Sequence, residues 1–396
     1  MEFNKKVMSS GLTVLHEKRD VQVTTVMLAA KYGAAYETAE EKGISHFMEH
    51  LCFKGTPTRT TREISAELEN LGGMPNAFTS EEVTAYYVKL PSVHLKTAMD
   101  VIFDIYFNAT FPEIELKKES QVILEEMKMY RDNPRAHVMD KIKTELYAEP
   151  FGISIIGTEK TIKSTTREKI YEKHKEMYSP KNSILCVVGN NSFEEVLELA
   201  EKLTIKSDGE TPKVQTIELK NSKMDEKRNG LGQTNVAIGF HFPFENKSGR
   251  FAGEIFSTIL GSGMSSRLFT EVREKRGLVY SIKSMLDLGK NFGYLMIVAG
   301  TDPSKTDEVK KICLEEYSKM ENITEQELKD AKIQLIGNRS VDNEGSSEVA
   351  VGLVLEEING DANNYYNFEK NINEVTLDQV KELSKKVDHS IFTLGP

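Results

Sequence analysis

The sequence predicts an α+β fold made of two similar tandem domains, each a mixed antiparallel sheet packed with helices. Three observations carry this. At 396 residues the chain is longer than a single hydrophobic core usually serves. Runs with a two-residue apolar period alternate with longer runs of helical period. The order of these runs in the first half returns in the second, the mark of an internal duplication. The division drawn from this pattern is 1–208 for the first domain, 209–231 for a linker and 232–396 for the second domain.

In the first half, Leu12–His16 and Thr24–Ala30 are β-branched and apolar and read as strands. A helix spans about Gly43 to Phe53, and another about Arg62 to Leu71, stopped by Gly72-Gly73. Ala77 to Leu90 alternates as a strand. Helices follow over Val93–Phe107 and Pro112–Arg131, the second opened by a proline at a helix start. In the second half, Asn235–His241 reads as a strand, and Gly249–Leu260 and Ser265–Lys275 as helices. Val279–Met285 and Phe292–Ala299 are strands, and Asp302–Lys319 is a helix. Thr324–Asn338 begins with a capping-box pattern at Thr324 and Glu327. Between the halves, Lys206–Pro212 and Glu226–Gly232 are polar, glycine-bearing and aperiodic, as linkers are.

Composition narrows the function classes. Hydrophobic residues at 39% and charged residues at 28% are ordinary for a soluble globular protein. A net charge of −10 argues against nucleic acid as a partner. No apolar run approaches the ~20 residues that cross a bilayer, so no membrane partner is expected. The polar start Met1–Lys6 shows no signal peptide. Cys52, Cys186 and Cys313 are too few and too scattered for a disulfide framework, which fits a reducing, cytoplasmic setting.

The most informative segment is His46-Phe47-Met48-Glu49-His50. Four residues apart on a helix, His46 and His50 project from one face with Glu49 beside them. Two neutral imidazoles so placed clamp a zinc ion, and a third protein ligand with an open position completes a catalytic site. The order His-x-x-Glu-His is that of the inverzincin metalloproteases. The aligned stretch of the second half, Gly253–Phe256, has neither histidine, so only the first domain can hold metal. A third ligand must come from elsewhere, and the helix bearing Glu119, Glu125 and Glu126 is the best donor. Glu119 and Glu126 are two turns apart and share a face, with Val122 and Ile123 between them on it; Glu125 sits about 100° round, toward solvent. An inward carboxylate among apolar neighbours is costly without a partner. On composition alone, three solvated charges on an acidic helix are the commoner case.

His46–Thr56 resembles the signature of the pitrilysin-like M16 zinc peptidases, in the short branch similar to mitochondrial processing peptidase and its bacterial and archaeal relatives. The resemblance extends over Gly72–Ser80, Val122–Met127 and Arg273–Tyr280. It implies a processing-peptidase-like duplication and one zinc ion per chain, held by His46, His50 and Glu126. It implies that Glu49 is the general base acting on zinc-activated water and that Glu119 supports the ligands. Arg273 and Tyr280, on residue types alone one charge of a basic run and a strand aromatic, are by the resemblance groups that bind peptide near the cut and stabilise the oxyanion. Asn76, Ala77 and Phe78 lie by the resemblance on a sheet edge that pairs with peptide as an added strand, although an aromatic such as Phe78 is more often core.

The implied function is a zinc-dependent endopeptidase hydrolysing peptides or unfolded segments inside a two-half chamber. Because the chain carries both the zinc motif and the Arg/Tyr pair, a homodimer of self-sufficient subunits is expected. Two other readings stand beside it: a catalytically silent scaffold like respiratory-complex core proteins, which lose zinc ligands or the base, and a processing peptidase for basic presequences. Cys52 is about 160° round the helix from the metal side and reads as packing. His16, His94, His137, His174, His241 and His389 lack partners at ligand spacing and read as structural or surface residues. Gly261–Ser266 lacks the Walker lysine and reads as a connection between helices.

Overall fold

The computed structural model describes residues 2–205, 207, 209–242, 247–385 and 388–396. Met1 and two residues of the polar stretch Lys206–Pro212, Lys206 and Asp208, lie outside the described residues. The chain forms two compact units, each built around one sheet.

The first unit holds strands β1 (Glu2–Val7), β2 (Thr13–Lys18), β3 (Val23–Ala30), β4 (Met74–Thr79), β5 (Thr84–Pro91) and β6 (Ser183–Gly189). Their order is β1-β2-β6-β3-β5-β4; β2 and β6 run parallel and every other neighbouring pair antiparallel. The central strands β3 and β6 are buried along almost their whole length, because helices cover both faces. On one face lies the helix Leu95–Phe107; on the other lies Ser346–Ile358, whose Val349, Leu353 and Val354 pack with Leu15, Met27, Ile184 and Cys186.

The first half of the chain also forms the helices α1 (Ile44–Cys52), α2 (Thr61–Glu69), α3 (Leu95–Phe107, on the sheet face just described) and α4 (Glu113–Asp132). Thr60 and Glu63 close a capping box at the start of α2. Gly43, with φ of +94°, turns the chain into α1, and Gly55, with φ of +126°, turns it out again after the helix.

The second unit holds β7 (Lys223–Lys227), β8 (Thr234–His241), β9 (Val279–Leu288), β10 (Gly293–Thr301) and β11 (His389–Gly395) in the order β7-β11-β8-β10-β9. Only β7 and β11 are parallel. With β1 set aside, this is strand for strand the topology β2-β6-β3-β5-β4 of the first sheet, with the parallel pair in the same place. The expected duplication is therefore visible in the topology.

The contiguous division expected from the sequence differs from what the contacts form. The first unit takes in Asp342–Tyr365 from the far half, and the second takes in Met127–Ser154 from the near half. The helix α5 (Pro134–Leu146) lies on β8 and β11. Gly239 of β8 admits it: a Cβ there would come within 2.7 Å of Leu146 Cδ1. Each sheet has a face its own consecutive helices leave open, and the helix that follows the long α4, or its counterpart Glu325–Asp342, crosses over to fill the other unit's. Local periodicity carries no sign of which sheet a helix will cover.

Three further differences have local causes. Ala77–Leu90 is not one strand but the β4–β5 hairpin, whose two-residue turn, Glu81-Glu82, lacks the Asn-Gly or Gly that flags such turns. Ser265–Lys275 contains a π-helical segment, Phe269–Glu274, rather than a regular α-helix. The proposed linker 209–231 contains β7, a charged strand made regular by pairing with β11. The Thr324–Glu327 capping box is present, with Thr324 N–H donating to Glu327 Oε2 at 2.9 Å. No helix among the described residues is long and apolar enough to cross a membrane.

Candidate metal centre

The helix α1 buries Ile44, Phe47, Met48, Leu51 and Cys52 and packs on β4 and β5. Its start is fixed by Glu37, a fully buried carboxylate that accepts from Gly43 N at 2.9 Å and Ser45 N at 2.7 Å. Those N–H groups have no partner inside the helix, and a negative charge suits this end of the helix dipole. The other face of α1 presents His46 and His50, whose ring centroids are 4.7 Å apart.

The helix α4 brings its acidic stripe to these histidines. Glu126 Oε2 lies 3.6 Å from His46 Nε2 and 3.7 Å from His50 Nε2. These three ligand atoms converge within 4.8 Å of one another. One turn back along the stripe Ile123 is fully buried, and two turns back Glu119 is buried as well. Val122, expected on the same face, is instead 48% exposed. Glu125 is exposed, as its angle around the helix requires.

The electrostatics suit a cation among these atoms. Glu119 Oε2 is 3.1 Å from His50 Nδ1, and Glu119 Oε1 is 2.8 Å from the Lys54 ammonium. Burial alone would raise the Glu119 carboxyl, but its bonds to His50 and Lys54 outweigh burial and hold it below the usual carboxylate range. An ionised carboxylate only accepts, so His50 Nδ1 carries a proton and donates, and in the neutral ring it is Nε2 that faces Glu126 with its lone pair. Burial first, and then neighbouring His50, push His46 down to about 4, so it is neutral near pH 7. A tetrahedral zinc with ligands at 2.0–2.1 Å has ligand–ligand edges of ~3.3–3.4 Å. The observed separations of 3.6 and 3.7 Å exceed these by only a few tenths of an ångström. Too long for hydrogen bonds, they fit a bound divalent ion better than a direct contact.

Glu49 stands beside the cluster without joining it. Its Oε2 accepts from Thr79 Oγ1 at 2.5 Å. Burial raises its carboxyl above the ordinary value, with the Glu126 charge adding to this and the Thr79 bond and His50 opposing it. A half-buried carboxylate with a raised pKa, held by one hydroxyl, is equipped to exchange protons.

The other expected site residues are divided between the two units. Asn76, Ala77 and Phe78 are on β4, which is the outer strand of its sheet. Asn76 is exposed, while Phe78 turns to the core cluster and meets the Tyr87 ring at 6.5 Å. In the second unit, Arg273 lies in the π-helical segment with its Cζ 4.6 Å from the Phe269 ring and 5.5 Å from the Tyr280 ring. Tyr280, near the start of outer strand β9, is 80% exposed. Cys52 is buried and its thiol is pushed up to about 12 by burial. His16, His174 and His241 each bond a backbone carbonyl through Nε2, and His137 bonds Glu226.

Three residues around the centre are not singled out by the motifs of the sequence. Lys54 lies one helical turn beyond His50, a spacing that could have flagged it. Thr79 meets Glu49 only because α1 packs on β4, and Glu37 caps α1 from outside the helix; neither leaves a local signal.

Comparison with known proteins gives a consistent picture. The family model "Insulinase (Peptidase family M16)" matches residues 12–159, and "Peptidase M16 inactive domain" matches residues 164–335. An uncharacterized zinc protease of Rickettsia felis is 35% identical over 342 residues, covering 85% of this chain and 82% of that protein. The uncharacterized zinc protease YmxG of Bacillus subtilis is 31% identical over 401 residues, covering 97% and 95%. Among solved structures, a protease from Helicobacter pylori shares the fold with a TM-score of 0.90 at 24% identity, covering 100% of this chain and 99% of that one.

Proposed function

The chain belongs to the M16 peptidase family, and from that premise we propose that it is a zinc-dependent endopeptidase cutting peptides or unfolded polypeptide segments. The observation that carries this reading is the convergence of His46 Nε2, His50 Nε2 and Glu126 Oε2 beside the Glu49 carboxylate. One zinc ion per chain would be held by these three residues. Zinc, when bound, supplies Lewis acidity that makes water a nucleophile near neutral pH and polarises a carbonyl.

The protein's own groups do the rest. Glu49 takes a proton from the attacking water as the new C–O bond forms, and returns it to the amine nitrogen as the C–N bond breaks. Thr79 holds the Glu49 carboxylate, and Glu119 with Lys54 holds the His50 ring in the tautomer that leaves Nε2 free. The peptide adds to outer strand β4 through backbone bonds at Asn76–Phe78, which gives affinity with little demand on sequence. Arg273 and Tyr280 are assigned to the peptide near the cut and to the developing oxyanion. The reading includes a homodimer, a chamber formed by the two halves, and a cytoplasmic location; the three buried free thiols support a reducing compartment.

The test is cleavage of an unstructured peptide library by zinc-loaded protein, wild type against Glu49→Gln. The expected result is turnover by the wild type and none by Glu49→Gln, which still binds zinc one to one. Zinc binding without turnover in the wild type would favour the silent scaffold instead.

A further inference from the structure

The backbone of β4 has a directionality that its hairpin fixes. Ser80 donates its N–H to Val83 O at 2.8 Å, so these two form a hydrogen-bonded pair. Such pairs alternate along an antiparallel ladder with pairs whose N–H and C=O groups point away. With Thr79 opposite Thr84 and Phe78 opposite Ala85, the residues Phe78, Asn76 and Met74 bond to β5. Thr79, Ala77 and Pro75 turn their backbone groups outward, to the open edge. Ala77 agrees with this: its N–H is taken by the Asn76 side chain, Oδ1 at 2.8 Å, and not by β5.

At the third outward position the chain has a proline, which has no N–H. The outer strands of the two sheets are β1, β4, β7 and β9, and β4 alone carries no charged residue. Charges on an outer strand discourage pairing with another chain. Thus β4 offers outward N–H donors at Ala77 and Thr79, only a carbonyl at Pro75, and is tied to Glu49 at the Thr79 end by the 2.5 Å hydroxyl bond.

We propose that Pro75 is a specificity-determining residue: it ends the ladder that an extended peptide forms on β4, leaving Ala77 and Thr79 as the strand's outward N–H donors. This rests on the peptidase reading above. A peptide carbonyl replaces Asn76 Oδ1 at the Ala77 N–H, one acceptor for another, so opening the edge is nearly neutral. The paired stretch is short and pinned at the end nearest the base. Pro75 keeps an outward C=O, but past it β4 ends at Met74 and the Gly73 N–H is taken by Leu68 O at 2.9 Å, so peptide extending that way finds no further N–H donor and the protein accepts a variable overhang on that side.

The experiment uses zinc-loaded Glu49→Gln protein, which holds peptide without cutting it, and fluorescence anisotropy with a labelled unstructured peptide and versions shortened from either end. Pro75→Ala restores an outward donor. It is expected to tighten the long peptide about two- to tenfold, the worth of one net hydrogen bond, and to leave the peptide shortened past that position within about twofold. Ala77→Pro removes an existing outward donor and is expected to weaken long and short peptides alike; zinc content and melting temperature verify that both variants fold. Equal effects of Pro75→Ala on all lengths, or no effect on any, would overturn the proposal. So would self-association of Pro75→Ala at unchanged peptide affinity, which would make Pro75 a guard of the edge alone. Failure of the unsubstituted Glu49→Gln protein to bind any peptide would bring down the peptidase reading and this inference with it, an outcome distinct from a lost length dependence.

Discussion

Replacing Glu119 by Gln tests the electrostatic frame of the metal centre most directly. The Glu119 side chain is buried and accepts two bonds, from His50 Nδ1 at 3.1 Å and from Lys54 Nζ at 2.8 Å. Glutamine has the same shape but only one accepting oxygen, so its NH₂ must face one of the two donors. If it faces His50, the ring turns or changes tautomer, and a proton on Nε2 removes the lone pair that a metal needs. If it faces Lys54, the ammonium stays near the site with no counter-charge. Either way one charge-assisted bond goes, worth about 1.5–3 kcal/mol. Partners of metal-bound histidines typically change metal affinity 10- to 100-fold, about 1.4–2.8 kcal/mol, and the two figures agree. Competition with a chromophoric chelator at pH 7.5 measures the zinc dissociation constant. Glu119→Gln should weaken it by that factor, and Glu119→Ala by at least as much. An affinity within twofold of wild type, in folded protein, would mean that Glu119 does not orient His50, and the tautomer argument would fail.

Thr79→Val removes the hydroxyl that holds Glu49. The kcat for peptide cleavage should fall about 10- to 100-fold, with KM and zinc content little changed and with Thr79→Ser restoring most of the loss; a serine variant no better than valine would refute the role. Glu37→Ala strands the N–H groups of Gly43 and Ser45 and removes the carboxylate that interacts with the buried Lys42. Urea unfolding should register a loss of about 3–5 kcal/mol, larger than for Glu37→Gln. His174, fully buried and bonded through Nε2 to Tyr106 O at 2.7 Å, is pushed by burial down to about 4. The unfolded chain therefore binds this proton below pH 6.5 while the folded one does not. Stability should be unaffected above that pH and fall by ~1.4 kcal/mol per pH unit as pH drops toward 4, about 3 kcal/mol in all. In His174→Gln, whose amide can still donate to Tyr106 O, urea titrations from pH 7 to pH 4.5 should show a shallower decline, and an unchanged slope would assign the acid sensitivity elsewhere.

What was legible in the chain is what depends on one helix at a time. His46 and His50 declare themselves by a four-residue step, and Glu119 and Glu126 by a seven-residue one. Which of the two glutamates meets the Nε2 atoms is not in that step, since both share a face. The structure separates them by depth: Glu126 reaches the Nε2 side and Glu119 the Nδ1 of His50. The unexpected exposure of Val122 follows from the same geometry. At 100° per residue it lies 60° to one side of Glu119, whereas Leu116 and Ile123 lie 60° and 40° to the other. The buried arc is therefore centred between Glu119 and Ile123, and Val122 falls outside it. Contacts between separate elements had no such local trace. Thr79 touches Glu49 across a helix–strand interface, and β7 is a strand because β11 runs beside it, not because Lys-Met-Asp-Glu-Lys favours extended structure. The crossing helices show this most clearly, since nothing in their apolar periodicity marks which of the two sheets they will cover. The sequence of α4 is continuous from Glu113 to Asp132 while its residues pass from the first unit to the second after Glu126, so the membership of α5 is set by contacts with β8 and β11 that no local period records.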